Sequence, residues 1–167
     1  MNKDFCQKLM EFVPEMNQDF CEAQKLMFGK WPIHPYEVFL WSPLSMALVN
    51  TKPLVPHHVL VCPRRVESQY LNLSPEEQRD LWRLARLVAL VIKGTPTSDA
   101  HVTFSVQNGR LSGQTVDHVH IHIMPATVGM SPDVERTEQT EEEMRNESTT
   151  LTARFVHLVK SNAVPSN

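Results

Sequence analysis

The sequence predicts an α+β domain, in which a five-stranded antiparallel sheet carries two main helices and follows an N-terminal extension. Five short segments rich in β-branched and aromatic residues are bounded by turn residues, a pattern typical of strands. Two longer segments place apolar residues at spacings of three and four, which predicts helices with one buried face. The links between the strands are hairpin turns or returns through a helix, and such links favour antiparallel pairing.

Residues 1–27 are interpreted as an N-terminal extension because they contain a short internal duplication. Asp4-Phe5-Cys6 recurs as Asp19-Phe20-Cys21, and Gln7-Lys8-Leu9-Met10 recurs as Gln24-Lys25-Leu26-Met27. The segment has no set of side chains typical of catalysis. We therefore expect it to serve packing or a partner.

The domain proper is predicted over residues 28–163, and residues 164–167 are predicted to form a loose tail. Its first two strands are predicted at Val38–Trp41 and Met46–Asn50, with Ser42-Pro43 as the turn between them. Both are short apolar runs that end at residues favoured in turns.

A third strand is predicted over His58–Pro63, and it stops there because proline cannot donate to a sheet ladder. The first main helix is predicted to begin after Ser74. This residue is an N-cap, Pro75 suits the first helical position, and Glu77 completes a capping box. Gly94 is predicted to end this helix.

The fourth strand is predicted over Val102–Gln107. The loop that begins at Asn108-Gly109 is too long for a tight hairpin, and it delivers Gly113 and Gln114 beside the fifth strand. The last helix is predicted to begin after Thr140, which caps it, with three glutamates at its positive end.

The overall composition is that of one ordinary globular domain. The chain has 167 residues, of which 41% are hydrophobic and 21% charged. Its net charge of -3 argues against a nucleic-acid partner, since nucleic-acid-binding surfaces are basic. There is neither a long apolar run nor a recognisable signal peptide, so we expect no membrane partner. The three cysteines form no Cys-x-x-Cys pair, which favours reduced thiols in a cytoplasmic protein, with the nucleus as a second location.

The fifth predicted strand, from His118 to Met124, alternates histidine with bulky apolar residues. On a strand, His118, His120 and His122 would share one face at steps of roughly 6–7 Å. Such a row suits two chemistries. One is a zinc site completed by a donor from elsewhere in the chain, and the other is nucleophilic attack by an imidazole on phosphorus.

The flanks of this strand resemble the signature of the histidine triad family. The segment Gly113–Pro125 is similar to that family's alternating histidines, which follow Gly-Gln-(Ser/Thr)-Val. The chain resembles most the fragile histidine triad (diadenosine triphosphate hydrolase) branch. Further matching segments are Phe28-Gly29, Ala47–Asn50, Lys52–Pro56, His58–Pro63, Gln107–Gly109 and Glu141–Met144. The Trp-Pro-Pro-Gly segment typical of the purine nucleoside phosphoramidase branch is missing.

The resemblance implies a role for each of four histidines. His120 is similar to the family nucleophile, which attacks the α-phosphorus and forms a nucleotidyl-histidine. His122 would contact the phosphate oxygens, while His58 and His118 would supply supporting hydrogen bonds. Imidazole suits these roles because it titrates near neutral pH and can act as nucleophile, donor or acceptor.

The resemblance also implies a set of substrate contacts. The side chain of Gln114 and the backbone from Gly113 through Thr115 to Val116 would hold the phosphates, and Gln107 would lie near them. Asn50 is similar to the family's ribose ligand. The walls of the nucleobase pocket would be Phe28, Ile33 and Leu48.

The activity implied by the resemblance is hydrolysis of a dinucleoside polyphosphate, with diadenosine triphosphate cleaved to AMP and ADP. It implies no tightly bound cofactor and no protein-bound metal, with Mg²⁺ or Mn²⁺ associated with the substrate polyphosphate, and a homodimer. Alternatives of the same fold are a nucleoside phosphoramidase and a nucleotidyl transferase. A nucleotide-binding signalling protein with incidental turnover and a zinc hydrolase are alternatives from other classes.

Four departures from the family pattern bear on substrate preference. Trp31 stands where relatives often have histidine, and His57 replaces a glycine, so it must accept that backbone conformation or reshape it. Ala126 follows Pro125 where arginine is common, and the segment Ala126–Arg136 is shorter than the usual mobile loop.

Overall fold

The computed structural model describes residues 12, 23–93, 101–125 and 137–161. Four sequence predictions therefore fall wholly or largely outside the described residues. They are the N-terminal duplication, Gly94 as the end of the first helix, the loop Ala126–Arg136 and the tail at residues 164–167.

The described residues form the predicted five-stranded antiparallel sheet, a short hairpin and two long helices. The hairpin pairs β1 (Met27–Phe28) with β2 (Trp31–Pro32). The strands of the main sheet are β3 (Val38–Trp41), β4 (Ser45–Val49), β5 (Val59–Pro63), β6 (Val102–Val106) and β7 (Ile121–Pro125). Their spatial order is β3-β4-β5-β7-β6, and every neighbouring pair is antiparallel. The fold class is therefore confirmed, whereas the β1–β2 hairpin was not predicted.

The two helices are α1 (Pro75–Lys93) and α2 (Glu141–Lys160), and both begin at the predicted caps. The hydroxyl of Ser74 accepts a hydrogen bond from the backbone N–H of Glu77 at 3.2 Å, and the Glu77 carboxylate accepts one from the backbone N–H of Ser74 at 2.8 Å. Thr140 and Glu143 repeat this arrangement at α2. Each capping box satisfies backbone donors that the first helical turn leaves unpaired. No described helix is long and apolar enough to cross a membrane.

The sheet has one face under the helices and another under the β1–β2 hairpin. The large core packs α1 and α2 on the first face, through residues such as Leu84, Ile121 and Phe155. A second apolar cluster lies on the opposite face, and it consists of Leu26, Ile33, Val38, Met46, Leu48, Leu60 and Cys62. The hairpin covers only part of that face, which leaves room for a cleft.

The prediction that the histidine strand begins at His118 is wrong, because β7 begins only at Ile121. Val61 pairs with Ile121, so extending the antiparallel register would set Val119 opposite Pro63. Pro63 has no N–H and cannot continue the ladder. The N–H of Val119 instead donates to the carbonyl of Glu67 at 2.7 Å.

Part of the N-terminal extension contributes to the core. Phe12 is 6% exposed and belongs to the cluster under the helices. Its carbonyl accepts a hydrogen bond from the N–H of Trp41 at 2.9 Å, on the edge strand β3. The packing role expected for the extension is therefore seen at this residue.

Candidate active site

A cleft of about 600 Å³ opens on the hairpin side of the sheet. Its walls come from the β1–β2 hairpin, the end of β4, the start of β7 and the segment that leads into α2. The lining side chains are Phe28, Trp31, Pro32, Ile33, Glu37, Leu48, Val49, Asn50, Thr51, Lys52, Leu60, Thr115, Val116, His120, His122 and Glu138. Eight of the site residues predicted from the sequence therefore meet here: Phe28, Ile33, Leu48, Asn50, Thr115, Val116, His120 and His122.

The hydrogen bond of His120 determines which of its ring nitrogens carries the proton. Nδ1 lies 2.7 Å from the carbonyl oxygen of His118, and because a carbonyl can only accept, Nδ1 must hold the hydrogen. The lone pair is therefore on Nε2. Burial lowers the pKa of His120, so the ring is neutral near pH 7. A neutral imidazole with an unprotonated Nε2 is competent as a nucleophile.

His118 uses both of its ring nitrogens on the backbone. The N–H of Gly29 donates to Nδ1 at 3.1 Å, which places the proton on Nε2, and Nε2 donates to the carbonyl of Pro63 at 2.9 Å. Burial lowers the pKa of His118 to about 4, so this ring is also neutral. It ties the hairpin to the end of β5 and, in this arrangement, has no nitrogen left for a metal ion or a substrate.

A chain of three hydrogen-bonding groups orients His122. The N–H of Leu54 donates to Nδ1 of His58 at 3.0 Å, so the neutral His58 ring carries its proton on Nε2. That nitrogen lies 2.9 Å from Nδ1 of His122 and donates to it. In the neutral His122 ring the proton then lies on Nε2, which makes this nitrogen a donor. The ring centroids of His120 and His122 are 4.7 Å apart in an edge-to-face contact, and both residues line the cleft.

The predicted common face of the three histidines is confirmed by their contacts. The Phe28 ring lies 5.5 Å from the His118 ring and 5.1 Å from the His120 ring, between centroids. His122 is opposite Leu60 in the register, on the hairpin side of the sheet.

Asn50 lines the cleft from a tightly bonded turn. Its Oδ1 accepts the N–H of Lys52 at 3.0 Å, an Asx turn that fixes the side chain. Nε2 of Gln139 donates to the Asn50 carbonyl at 3.2 Å and to the carboxylate of Glu147 at 3.0 Å. The other oxygen of Glu147 lies 3.3 Å from Nδ1 of His57. Glu147 on α2 thus contacts His57 at one end of the loop and reaches Asn50 at the other end through Gln139.

The backbone at His57 has a φ of +62°, a left-handed conformation that glycine adopts most readily. From the sequence, His57 was expected either to accept a glycine-type backbone or to reshape it. The structure shows that His57 accepts this conformation.

Gln107, Gly113 and Gln114 do not line the cleft. Oε1 of Gln114 accepts the N–H of Gly109 at 2.6 Å, and its amide donates to the carbonyls of Ser68 and Val116 at 2.9 and 2.8 Å. The side chain therefore holds the loop that presents Val116. Its direct contact with phosphate, like that of Gln107, stays a prediction.

Four polar residues of the cleft were not predicted as site residues from the sequence: Glu37, Thr51, Lys52 and Glu138. Lys52 and Glu138 form an exposed ion pair, with 3.1 Å between Nζ and Oε2. Lys52 belongs to a segment that the sequence did single out for its family likeness, but nothing marked its position at the cleft. Glu37 carried no sequence signal of function.

The donor set of the cleft is suited to phosphoryl chemistry. Over the part of the chain that the structure describes, no group of three or more His, Cys, Asp or Glu side chains is arranged to hold a metal ion. What the cleft does offer is a neutral nucleophile, an adjacent N–H donor, an amide beside them and an apolar pocket. Phosphoryl transfer requires mainly positioning and stabilisation of charge on the oxygens.

Comparison with known proteins gives a consistent set of relatives. The HIT domain family model matches residues 33–128. A bis(5'-adenosyl)-triphosphatase of Dictyostelium discoideum is 40% identical over 137 residues, which cover 77% of this chain and 91% of that protein. A bifunctional bis(5'-adenosyl)-triphosphatase/adenylylsulfatase of Arabidopsis thaliana is 46% identical over 102 residues, covering 61% of this chain and 56% of that protein.

Two solved structures also match this chain. The diadenosine triphosphate hydrolase of Plasmodium falciparum, in complex with cyclomarin A, matches with a TM-score of 0.75 and 26% identity. That match covers 93% of this chain and 95% of the other. The NitFhit protein of C. elegans matches with a TM-score of 0.70 and 32% identity, over 77% of this chain and 30% of that one.

Proposed function

The chain belongs to the HIT domain family, and from this membership we propose that it is a hydrolase that cleaves diadenosine triphosphate to AMP and ADP. The observation that carries the proposal is the contact between His120, with its lone pair on Nε2, and the His122 ring in a cleft of nucleotide size. Relatives named for the same activity support it, as does the structural neighbour that hydrolyses the same compound.

We propose that the reaction proceeds in two displacements at the α-phosphorus. In the first, the Nε2 lone pair of His120 forms a bond to phosphorus, while the bond from phosphorus to the bridging oxygen breaks and its electron pair leaves with ADP. In the second, a water oxygen attacks phosphorus, the P–N bond breaks, and its electron pair returns to Nε2. The water loses its proton to solvent, and AMP is the product.

The neighbours of His120 would assist without joining the covalent chemistry. The ring becomes positive when Nε2 binds phosphorus, and its Nδ1–H already donates to the carbonyl of His118, which stabilises that charge. The His122 N–H would donate to a non-bridging phosphate oxygen, held in direction by His58. We propose that Asn50 binds the ribose and that Mg²⁺ or Mn²⁺ accompanies the polyphosphate as part of the substrate.

The stereochemical course at phosphorus tests the mechanism. Each in-line displacement inverts the centre, so two displacements restore it, whereas direct attack by water inverts it once. Hydrolysis of a substrate with a chiral α-phosphorothioate, in isotopically labelled water, is expected to give net retention with the label in the monophosphate. Inversion at the α-phosphorus would remove His120 as nucleophile, and label in the diphosphate would place the attack at the β-phosphorus.

A substrate panel tests the activity itself. Diadenosine triphosphate, diadenosine tetraphosphate and adenosine phosphoramidate are assayed side by side, with metal analysis of the purified protein. The highest kcat/KM is expected for the triphosphate. A preference for the phosphoramidate would favour that alternative activity, and stoichiometric zinc required for turnover would favour a zinc hydrolase.

We also propose that the chain forms a homodimer through the edge strand β6. Phe104 on β6 is 42% exposed and Trp82 on α1 is 41% exposed, and their ring centroids lie 6.1 Å apart. An exposed apolar pair beside a sheet edge is typical of an interface. Sedimentation equilibrium is expected to give a dimer, and Phe104→Ser is expected to shift it towards monomer. A monomeric parent protein would contradict the proposal.

A further inference from the structure

The cleft contains a carboxylate that the proposed reaction does not use. Glu37 ends the short 3-10 turn Pro35–Glu37, is partly buried and lines the cleft. We infer that Glu37 selects the nucleobase, by accepting a hydrogen bond from the exocyclic amino group of adenine. The inference rests on the proposed function and names the base that the nucleotide pocket prefers.

The position of Glu37 follows from two links in the backbone. Its Oε2 accepts the N–H of His34 at 2.6 Å, which ties the side chain to the residue after Ile33. The residue after Glu37, Val38, pairs with Leu48 across β3 and β4. The carboxylate therefore lies in the same cleft as Ile33 and Leu48, the two aliphatic residues predicted to wall the base.

The surroundings of this carboxylate favour a ligand that donates. Burial raises the pKa of Glu37, because the apolar walls give the charged form little solvation. One oxygen is used by His34, while Oε1 has no hydrogen bond from any described residue. An ionised carboxylate can only accept, so the group that compensates it must be a hydrogen-bond donor. The 6-amino group of adenine meets this requirement, and the bare C6–H of purine does not.

A purely structural role as the cap of the 3-10 turn is the competing explanation. Glu37→Gln separates the two, because the Gln carbonyl can still accept the N–H of His34 while its NH₂ replaces the free oxygen. The turn is thereby kept and the acceptor for adenine is lost. Glu138→Gln is the matched control, since it removes the same charge from the same cleft at the ion pair with Lys52.

The experiment measures the dissociation constants of AMP and of purine riboside 5'-monophosphate by calorimetry, alongside hydrolysis of diadenosine triphosphate by the parent protein. The parent is expected to bind AMP about tenfold more tightly than the purine nucleotide, as is typical when a site loses its hydrogen-bond partner. Glu37→Gln is expected to bring this ratio to about one. Glu138→Gln is expected to shift both affinities alike and keep the ratio, because a charge change acts on the phosphate of both ligands.

A parent ratio near one, or a tenfold ratio that survives in Glu37→Gln, would overturn the inference. The ratio of the two dissociation constants in the parent protein tests the inference even if Glu37→Gln does not fold. A thermal unfolding scan reports whether the variant is folded. A selective parent that leaves diadenosine triphosphate intact would refute the proposed function and keep the inference. A parent that hydrolyses diadenosine triphosphate without selecting AMP would refute the inference and keep the proposed function.

Discussion

Acidification is expected to destabilise the protein through His118. The ring is fully buried, and burial lowers its pKa from the ordinary value of 6.5 to about 4. Between these two values the unfolded chain binds a proton at this residue that the folded protein does not. Its contribution to stability is therefore complete above pH 6.5 and is lost as the pH falls towards 4.

The size of the effect follows from the two pKa values. Linkage of protonation to folding gives a loss of about 2 kcal/mol in the free energy of unfolding between pH 7 and pH 5 from this residue alone. His120 acts in the same direction, because burial also lowers its pKa. The physical origin is burial, which leaves the charged ring without solvation. Charging His118 would also set a cation against the N–H of Gly29, which now donates to its lone pair.

Urea unfolding at pH 7 and pH 5 measures this loss in the parent and in His118→Gln. The variant is expected to lose about 2 kcal/mol less between the two pH values, since its side chain does not titrate. Subtracting the value at pH 5 from that at pH 7 within each protein removes the lower baseline stability of the variant. Comparing the two differences then removes the titration of the other groups, which both proteins share. His101→Gln, at an exposed histidine outside the cleft, controls for removal of an imidazole. An equal pH-dependent loss in parent and His118→Gln would refute the reasoning.

Four further substitutions test other parts of the structure. His120→Ala is expected to abolish turnover while keeping substrate affinity within a few-fold by calorimetry, and a residual rate of a tenth would remove His120 as nucleophile. Asn50→Ala is expected to raise KM by up to about tenfold with little change in kcat, because a ribose contact exists in ground and transition states alike; a collapsed kcat at constant KM would contradict this role. Phe12→Ala is expected to lower the free energy of unfolding in urea by about 3 kcal/mol without changing kcat, since it empties a core position. Gln114→Ala is expected to lower the free energy of unfolding by about 2 kcal/mol, because it leaves the N–H of Gly109 and two carbonyls without their partner. A loss of only a few tenths of a kcal/mol in Phe12→Ala or Gln114→Ala would refute the packing described.

Features that depend on neighbouring residues could be predicted from the sequence. The capping boxes at Ser74 and Thr140 involve residues three apart, so the starts of α1 and α2 were correct. Strands β3 to β6 were found within one residue, because turn and apolar residues mark their ends locally. The alternation of histidines also indicated correctly that the three rings share one face.

The errors arose where a distant partner decided the backbone. Nothing near His118 indicates that Pro63 lies opposite the start of the histidine segment and ends the ladder there. Likewise, the β1–β2 hairpin has strands of only two residues, too short for a periodic signal. The hydrogen bond from the side chain of Gln114 to the carbonyl of Ser68, which is 46 residues away, had no local signal either, while the phosphate contact of Gln114 stays a prediction.

The sequence by itself determined the fold class, the helix starts and the presence of a histidine row, because these follow from the period and type of adjacent residues. Only the tertiary structure decided the proton positions that make the row a candidate catalytic site. The lone pair of His120 and the N–H of His122 depend on which partner each ring meets. His122 takes its direction from Leu54 through His58, more than 60 residues earlier. Hydrogen bonds of this kind join groups that are brought together by packing, and no local pattern of residues encodes which nitrogen will meet a donor.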